Sequence, residues 1–439
     1  MLYIESDPRG AHDWPELVAQ PARLMPPEEA ERMPNSWFDH WLLNAMQKVT
    51  HPAGIRFKYA EPFVNSDRSP QRPAVQIKDR KTLVALLLNP EMNFGDLYCE
   101  GRIEIEGDLI QSLEMLYKVP ERTVTRLISM WLNWIQAGTL TNARKNIHHH
   151  YDLPTDFYQL WLDRQMVYTC AYFPHEHAGL QEAQAAKMEH VCRKLWLRPG
   201  EQVVEAGCGW GALALYMAKH FGVRVKAFNI SREQIEFARA AAKREGLSSQ
   251  VEFLEDDYRN IRGHFDVFVS VGMLEHIGRD YYQEFSRVIH RSIGDRGRGL
   301  LHFIGRNQPH PFSAWIRKRI FPGAYAPSLR EAIQALEPHD FSVLDVENLR
   351  PHYAKTLECW LEAFERSYDL VARRFGPEFA RMWRLYLAGS IAAFRVGTLQ
   401  LFQLVFAGKD CHSIPLTRQH LYANGHEARQ ELECSPATY

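Results

Sequence analysis

Four short stretches of the 439-residue chain carry residue types able to do chemistry. MVYTCAYF (166–173) sets Cys170 among aromatic side chains. EAGCGWG (205–211) puts Glu205 ahead of glycines at 207, 209 and 211. VGMLEHIG (271–278) delivers Glu275 and His276, and LHFIG (301–305) holds His302 among apolar neighbours. Cys170 admits three readings: a nucleophile, a buried core residue, or part of a site whose chemistry another group performs. A nucleophilic cysteine needs a nearby base and an electrophilic substrate, and its own segment supplies neither. His302, on a strand of apolar neighbours, reads first as a satisfied core histidine. The glycine turn lets a backbone approach a ligand closely, and the helix behind it favours polar or negative groups.

The elements that must position these residues follow an α/β rhythm. A strand runs into the glycine turn and the helix ALALYMAKHF. VRVKAFNI is a second strand, followed by a helix capped by Ser231. VEFLEDDY, FDVFVSVG and GLLHFIG supply further strands, with FSVLDVENL and LQLFQLVF to close the sheet. Right-handed crossovers make this a doubly wound, mostly parallel sheet, whose ligands bind at the carboxyl edge. Glu275 and His302 fall at that edge. The turn alone does not exclude NAD, since Ala212 would satisfy the last place of the dinucleotide fingerprint. The second strand argues more clearly: it ends in Asn229, where a dinucleotide site has an acid for the ribose. Glu205 before the glycines and Asp256–Asp257 after the third strand fit S-adenosylmethionine better, although the two aspartates also read as a solvated loop.

Ahead of this region the expected order is an arm (1–40), a small α+β domain (41–118) and a helical linker (119–145). The main domain (146–410) follows, then a tail (411–439). In the small domain IRFKYA and AVQIKD read as half-buried strands joined by a polar turn. A helix should stop near Pro90, with a turn at Gly95 and the strand RIEIEG beyond. The formal net charge of −1 gives no reason to expect nucleic acid. No run approaches the roughly 18 apolar residues of a membrane span, and the first residues do not read as a signal peptide. Scattered cysteines without metal spacing fit a reducing cytoplasm. Consecutive histidines at 148–150 cannot all face one ion, so no metal is expected there.

YTCAYF, EAGCGWG, NISREQ, VGMLEHIG, LHFIG and HYAKTLECW, in this order between Tyr151 and Phe406, resemble the cyclopropane-fatty-acyl-phospholipid synthases. That family is a branch of the S-adenosylmethionine-dependent methyltransferases. The resemblance implies a Rossmann-like class I methyltransferase domain. NFGDLYCEGRIEIEGDL is similar to the sterol-carrier-like lipid-binding domain that precedes it. It implies methyl transfer from the sulfonium to a cis double bond of an unsaturated phospholipid, then ring closure once a base removes a proton from the resulting carbocation. The implied base is bicarbonate, held by Cys170, Glu275, His302, the Ile304 backbone and Tyr353. The implied cofactor residues are Tyr168, Thr169, Glu205, Gly207, Gly209, Gly211, Asn229, Gln234, Asp257 and Tyr258, with Gln234 replacing the missing acid on the ribose. His276 is given no catalytic task. Thr169, Glu205 and Asn229 stand where serine, aspartate and threonine are common in the family.

An alkene nucleophile needs no protein base to start, whereas aromatic faces steady a cation, which gives Tyr168, Tyr172 and Phe173 a purpose beside packing. Membrane contact would be peripheral, at the inner face, through TRLISMWLNWI (125–135) and FSAWIRKRIFPG (312–323). Helices packed on the core are the competing reading for both. The helix from Pro377 is expected in the core, walling an acyl channel. A methyl-branched, methylene or furan-precursor product is the close alternative, and an inactive lipid-binding protein the distant one. A homodimer is left open.

Overall fold

The computed structural model describes residues 41, 43–44, 46–47, 54–59, 73–119, 153–413 and 415–422. The expectations for the arm, the histidine triplet, residues 125–135, most of the linker and the end of the tail lie outside these residues.

The small N-terminal sheet holds β1 (Arg56–Tyr59), β2 (Ala74–Ile77) and β3 (Ile103–Glu106). β2 lies in the middle and all four of its residues are buried, so the expected alternation does not hold there. It runs antiparallel to β3 but parallel to β1. Parallel neighbours cannot be joined by a tight reversal, which corrects the expectation of a simple turn between the first two strands. Helices α1 (Arg80–Leu88), α2 (Pro90–Cys99) and α3 (Leu109–Tyr117) complete this part. Pro90 opens α2, where its missing N–H costs nothing, and the Asn89 side chain accepts from Met92 N–H. Gly95 is inside α2 and not at a turn. Its lack of a side chain serves packing: a Cβ there would lie 2.4 Å from the Trp315 indole.

The large sheet contains β4 (Gln202–Ala206), β5 (Arg224–Asn229), β6 (Val251–Glu255), β7 (Val267–Val271), β8 (Arg298–Gly305), β9 (Ser342–Asn348) and β10 (Gln400–Ala407). Their order is β6-β5-β4-β7-β8-β10-β9. β4 to β8 are parallel, and β10 is inserted antiparallel to both β8 and β9. β7 and β10 are buried along their whole length, as strands covered on both faces must be. The chain reverses its direction of winding at β4 and β7, which opens a crevice at their carboxyl ends.

Around this sheet lie α4 (Thr155–Gln159), α5 (Leu180–Lys194), α6 (Ala212–Phe221), α7 (Arg232–Glu245), α8 (Leu274–Ile277), α9 (Tyr282–Ile293), α10 (Leu329–Leu336), α11 (Arg350–Phe375) and α12 (Pro377–Arg395). Gly376 separates the last two, which pack against each other and against an aromatic core. α12 also reaches the small sheet: Arg381 donates to the Tyr98 carbonyl at 2.7 Å and pairs with Glu104 at 2.8 Å.

FSAWIRKRIFPG makes the second bridge between the two parts. Trp315 and Ile320 are buried. The Trp315 indole donates to Asp96 at 3.1 Å, and Arg319 pairs with the same carboxylate. Trp315 is therefore spent on α2 and Phe321 on His276 and Tyr386, which favours the competing reading of this segment as packed on the core. Among the described residues no helix is long and apolar enough to cross a membrane.

Alanine normally favours a helix over glycine by roughly 1 kcal/mol. Gly95→Ala is expected to do the reverse, lowering stability by about 1–3 kcal/mol because Trp315 must move. Chemical denaturation followed by tryptophan fluorescence measures this; a stabilised variant would contradict the packing.

Candidate active site

At the carboxyl ends of β4 to β7 the crevice opens into a cavity of about 820 Å³. Of the residues expected at the cofactor, Tyr168, Thr169, Glu205, Gly207, Gly209, Asn229, Gln234, Asp257 and Tyr258 line it. The turn after β4 bends through left-handed backbone at Gly207 (φ 83°), and the close approach of Met273 leaves little room for a larger residue. Gly211 does not line the cavity. It serves helix–strand packing, since a Cβ there would lie 2.7 Å from the Phe253 ring.

Asn229, at the end of β5, donates from one amide nitrogen to Gln234 Oε1 at 2.6 Å and to the Gly209 carbonyl at 3.2 Å. Ser231 caps α7 and accepts from Gln234 N–H, which fixes that side chain at the cavity wall. This amide pair occupies the place of the absent ribose acid. Asp257 is engaged by Arg259 at 2.6 Å, and Asp256 reaches Asn260 at 2.7 Å.

Lys187 also lines the cavity, and sequence reasoning missed it. It lies on α5, almost wholly buried, and donates to Thr169 Oγ1 at 3.0 Å. Burial pulls its ammonium down to about 8, against the opposing pull of Asp163. Burial pushes Glu205 up to about 8, with Lys187 pulling the other way. His276 lines the cavity too and contacts the Phe321 ring; burial lowers it to about 4, so it is neutral.

Behind the cavity, the loop after β7 is strapped to β8. Gly272 N–H donates to the His302 carbonyl at 2.8 Å, and Ile304 N–H donates to Glu275 Oε1 at 2.6 Å. Glu275 and His302 are both buried, and each keeps one atom without a partner: Oε2 of Glu275 and Nε2 of His302. Gln403, directly across on β10, meets His302 Nδ1 at 3.1 Å. Burial, with the positive charges of Lys187 and Lys194, holds His302 far below its ordinary value, so the imidazole is neutral.

Cys170 shares one hydrophobic core with Tyr353 and Ile304. Its thiol donates to the Ala171 carbonyl at 3.1 Å, and burial pushes its pKa well up. A thiol in that state is no nucleophile. Thr169 and Gly272 are in close contact, since a Cβ on Gly272 would meet Thr169 Cγ2 at 2.9 Å. The MVYTCAYF segment thus runs beside the loop that carries Glu275.

Tyr168 stands among aromatic rings, 5.3 Å from Trp161, 5.4 Å from Trp360 and 5.5 Å from Tyr158, with its hydroxyl 2.9 Å from that of Tyr386. Tyr353 joins the group through Trp360 and Phe394. Tyr172 and Phe173 do not. Tyr172 is stacked between His190 at 4.3 Å and His352 at 4.8 Å, and the Lys355 ammonium covers the Phe173 ring. Their expected role beside a cation is corrected: the rings near Tyr168 come from α4 and the turn after it, from α11 and from α12, which adjacency in sequence could not reveal.

A glycine-turned crevice on this strand order, lined by these polar groups, defines an S-adenosylmethionine-dependent methyltransferase of the Rossmann-like class. The family model described as mycolic acid cyclopropane synthetase matches residues 139–404, and the chain belongs to that family. It is 33% identical over 390 residues to a probable fatty acid methyltransferase of Pseudomonas putida, covering 86% of this chain and 98% of that protein. Over 259 residues it is 40% identical to the cyclopropane-fatty-acyl-phospholipid synthase of Escherichia coli K12, covering 59% of this chain and 66% of the other. The crystal structure of mycolic acid cyclopropane synthase CmaA1 complexed with SAH and CTAB superposes with a TM-score of 0.57 at 30% identity. That match covers 60% of this chain and 97% of CmaA1.

Burial pushes Glu275 from the usual 4.5 up to about 7, with the Ile304 N–H pulling it back. The folded protein therefore keeps this proton up to about pH 7, whereas the unfolded chain loses it near 4.5. Stability from this group is complete at low pH and declines as pH rises through that window. Glu275→Gln is expected to be more stable than the native protein by on the order of 2 kcal/mol at pH 8. The gap should close near pH 4 in denaturant titrations; a gap independent of pH would contradict the assignment.

Proposed function

We propose that the enzyme acts on a cis double bond in an acyl chain of an unsaturated phospholipid and closes a cyclopropane ring. The observation that carries this reading is the pair of buried, unpartnered atoms, Glu275 Oε2 and His302 Nε2, in a domain where Tyr168 packs within a cluster of aromatic rings. S-adenosylmethionine, when bound in the cavity, supplies the methyl group. Glu275 and His302 also fit bicarbonate, which when bound would supply the base for ring closure. The Ile304 N–H and the Cys170 thiol, expected to hold it, are already spent on Glu275 and Ala171. A neutral His302 can donate from Nε2, and a Glu275 carboxyl holding its proton near neutrality can donate from Oε2. Two anions side by side are tolerable only if they share such a proton.

Tyr168 and its neighbouring rings present the quadrupole faces that a developing carbocation requires. Their apolar packing with α11 and α12 would keep water, a competing nucleophile, away from that cation. Cys170 would serve as wall rather than reagent, its thiol hydrogen already given to Ala171. CmaA1 is described as complexed with SAH and CTAB, which supports a site here for a ligand with a long apolar tail. The substrate would be met at the inner face of a membrane by peripheral contact, with the small domain assisting lipid access. The Pseudomonas relative's description as a probable fatty acid methyltransferase favours a second reading, a methyl-branched or methylene product.

Unsaturated phospholipid vesicles incubated with enzyme and S-adenosylmethionine, followed by mass spectrometry of the released fatty esters, test this. A gain of one methylene unit with loss of the double bond is expected, and the same gain with an alkene retained selects the second reading. Removal of bicarbonate from the buffer should depress turnover, and Glu275→Gln should reduce it by roughly 10²-fold or more with SAH binding intact. Full turnover in that variant would sink the ion site.

A further inference from the structure

The cavity holds two buried ionisable groups of opposite sign, Lys187 and Glu205, that do not pair with each other. Glu205 Oε2 has no hydrogen-bond partner. Lys187 spends one of its three donors on Thr169 Oγ1. The nearby Asp163 carboxylate is already committed, accepting from Val167 N–H at 2.8 Å and Gln165 N–H at 2.9 Å. Both groups thus carry the cost of leaving water without the gain of an ion pair. Such an arrangement is sensible when a ligand brings the complementary charges. One end of S-adenosylmethionine does so: its amino-acid terminus is a zwitterion, with carboxylate and ammonium on the same carbon.

We propose that Lys187 is the receptor for the cofactor's carboxylate, acting with the Thr169 hydroxyl, while Glu205 takes the ammonium. Lys187 donates to Thr169 Oγ1, so that hydroxyl's own hydrogen is free to turn toward the same carboxylate. At the other end of the cavity Asn229 and Gln234 offer uncharged amides suited to sugar hydroxyls. The two ends therefore differ in kind, and the charged end selects an intact amino-acid terminus over a nucleoside that lacks it.

Calorimetric titration of the full chain with three ligands tests the assignment. They are SAH, its decarboxylated analogue, which keeps the amine, and methylthioadenosine, which lacks both groups. The native protein should prefer SAH over the decarboxylated analogue by roughly 10- to 100-fold. Lys187→Met should abolish that preference and leave the affinity for methylthioadenosine unchanged, which also reports that the variant is folded. Equal weakening of SAH and the decarboxylated analogue by Lys187→Met would overturn the proposal. So would the absence of any preference in the native protein, a comparison that needs no variant.

Discussion

The hydrogen bond from Ile304 N–H to Glu275 Oε1 ties the loop after β7 to the end of β8, and the geometry of the candidate site hangs on it. A carboxylate buried this deeply is tolerable only with a donor in place, and a strand-end amide is one that cannot rotate away. Using one oxygen in this way leaves the other aimed and unsatisfied. The register of β7 against β8 then brings His302 opposite Val271, at the base of the same loop. Gly272 lets the Thr169–Cys170 segment pass close by. One backbone amide thus sets the relation between the sheet edge, the acid and the Thr169–Cys170 segment beside them.

Much of the large sheet was legible in the sequence because its inner strands are buried, largely apolar runs and elements end at a glycine or a helix cap. Asn229 and the glycine turn fell where their positions implied. Insertion of β10 between β8 and β9 was not legible, since pairing order is decided by long-range packing and leaves no local period. Gly95 looked like punctuation because its reason, the Trp315 ring, lies far along the chain.

Site residues divide the same way. Glu275, His302 and Tyr168 stood out through the motifs around them. Lys187 did not, because a lysine in LQEAQAAKMEHVCRK reads as the solvated face of a helix. Only the packing of α5 against the cavity turns it inward. Tyr172 and Phe173 erred in the opposite direction. They seemed to extend the wall begun at Tyr168, yet the histidines at 190 and 352 clasp Tyr172 elsewhere.

The last consequence concerns α12, which carries Arg381 into the small sheet and Trp383 and Tyr386 into the aromatic core. A single rigid rod that belongs to both parts cannot be re-seated at one end without disturbing the other. The small domain is therefore not an interchangeable cartridge. Grafting it from a relative would require α12 and the Trp315 segment to travel with it, and drift in α2 constrains the sequence of both.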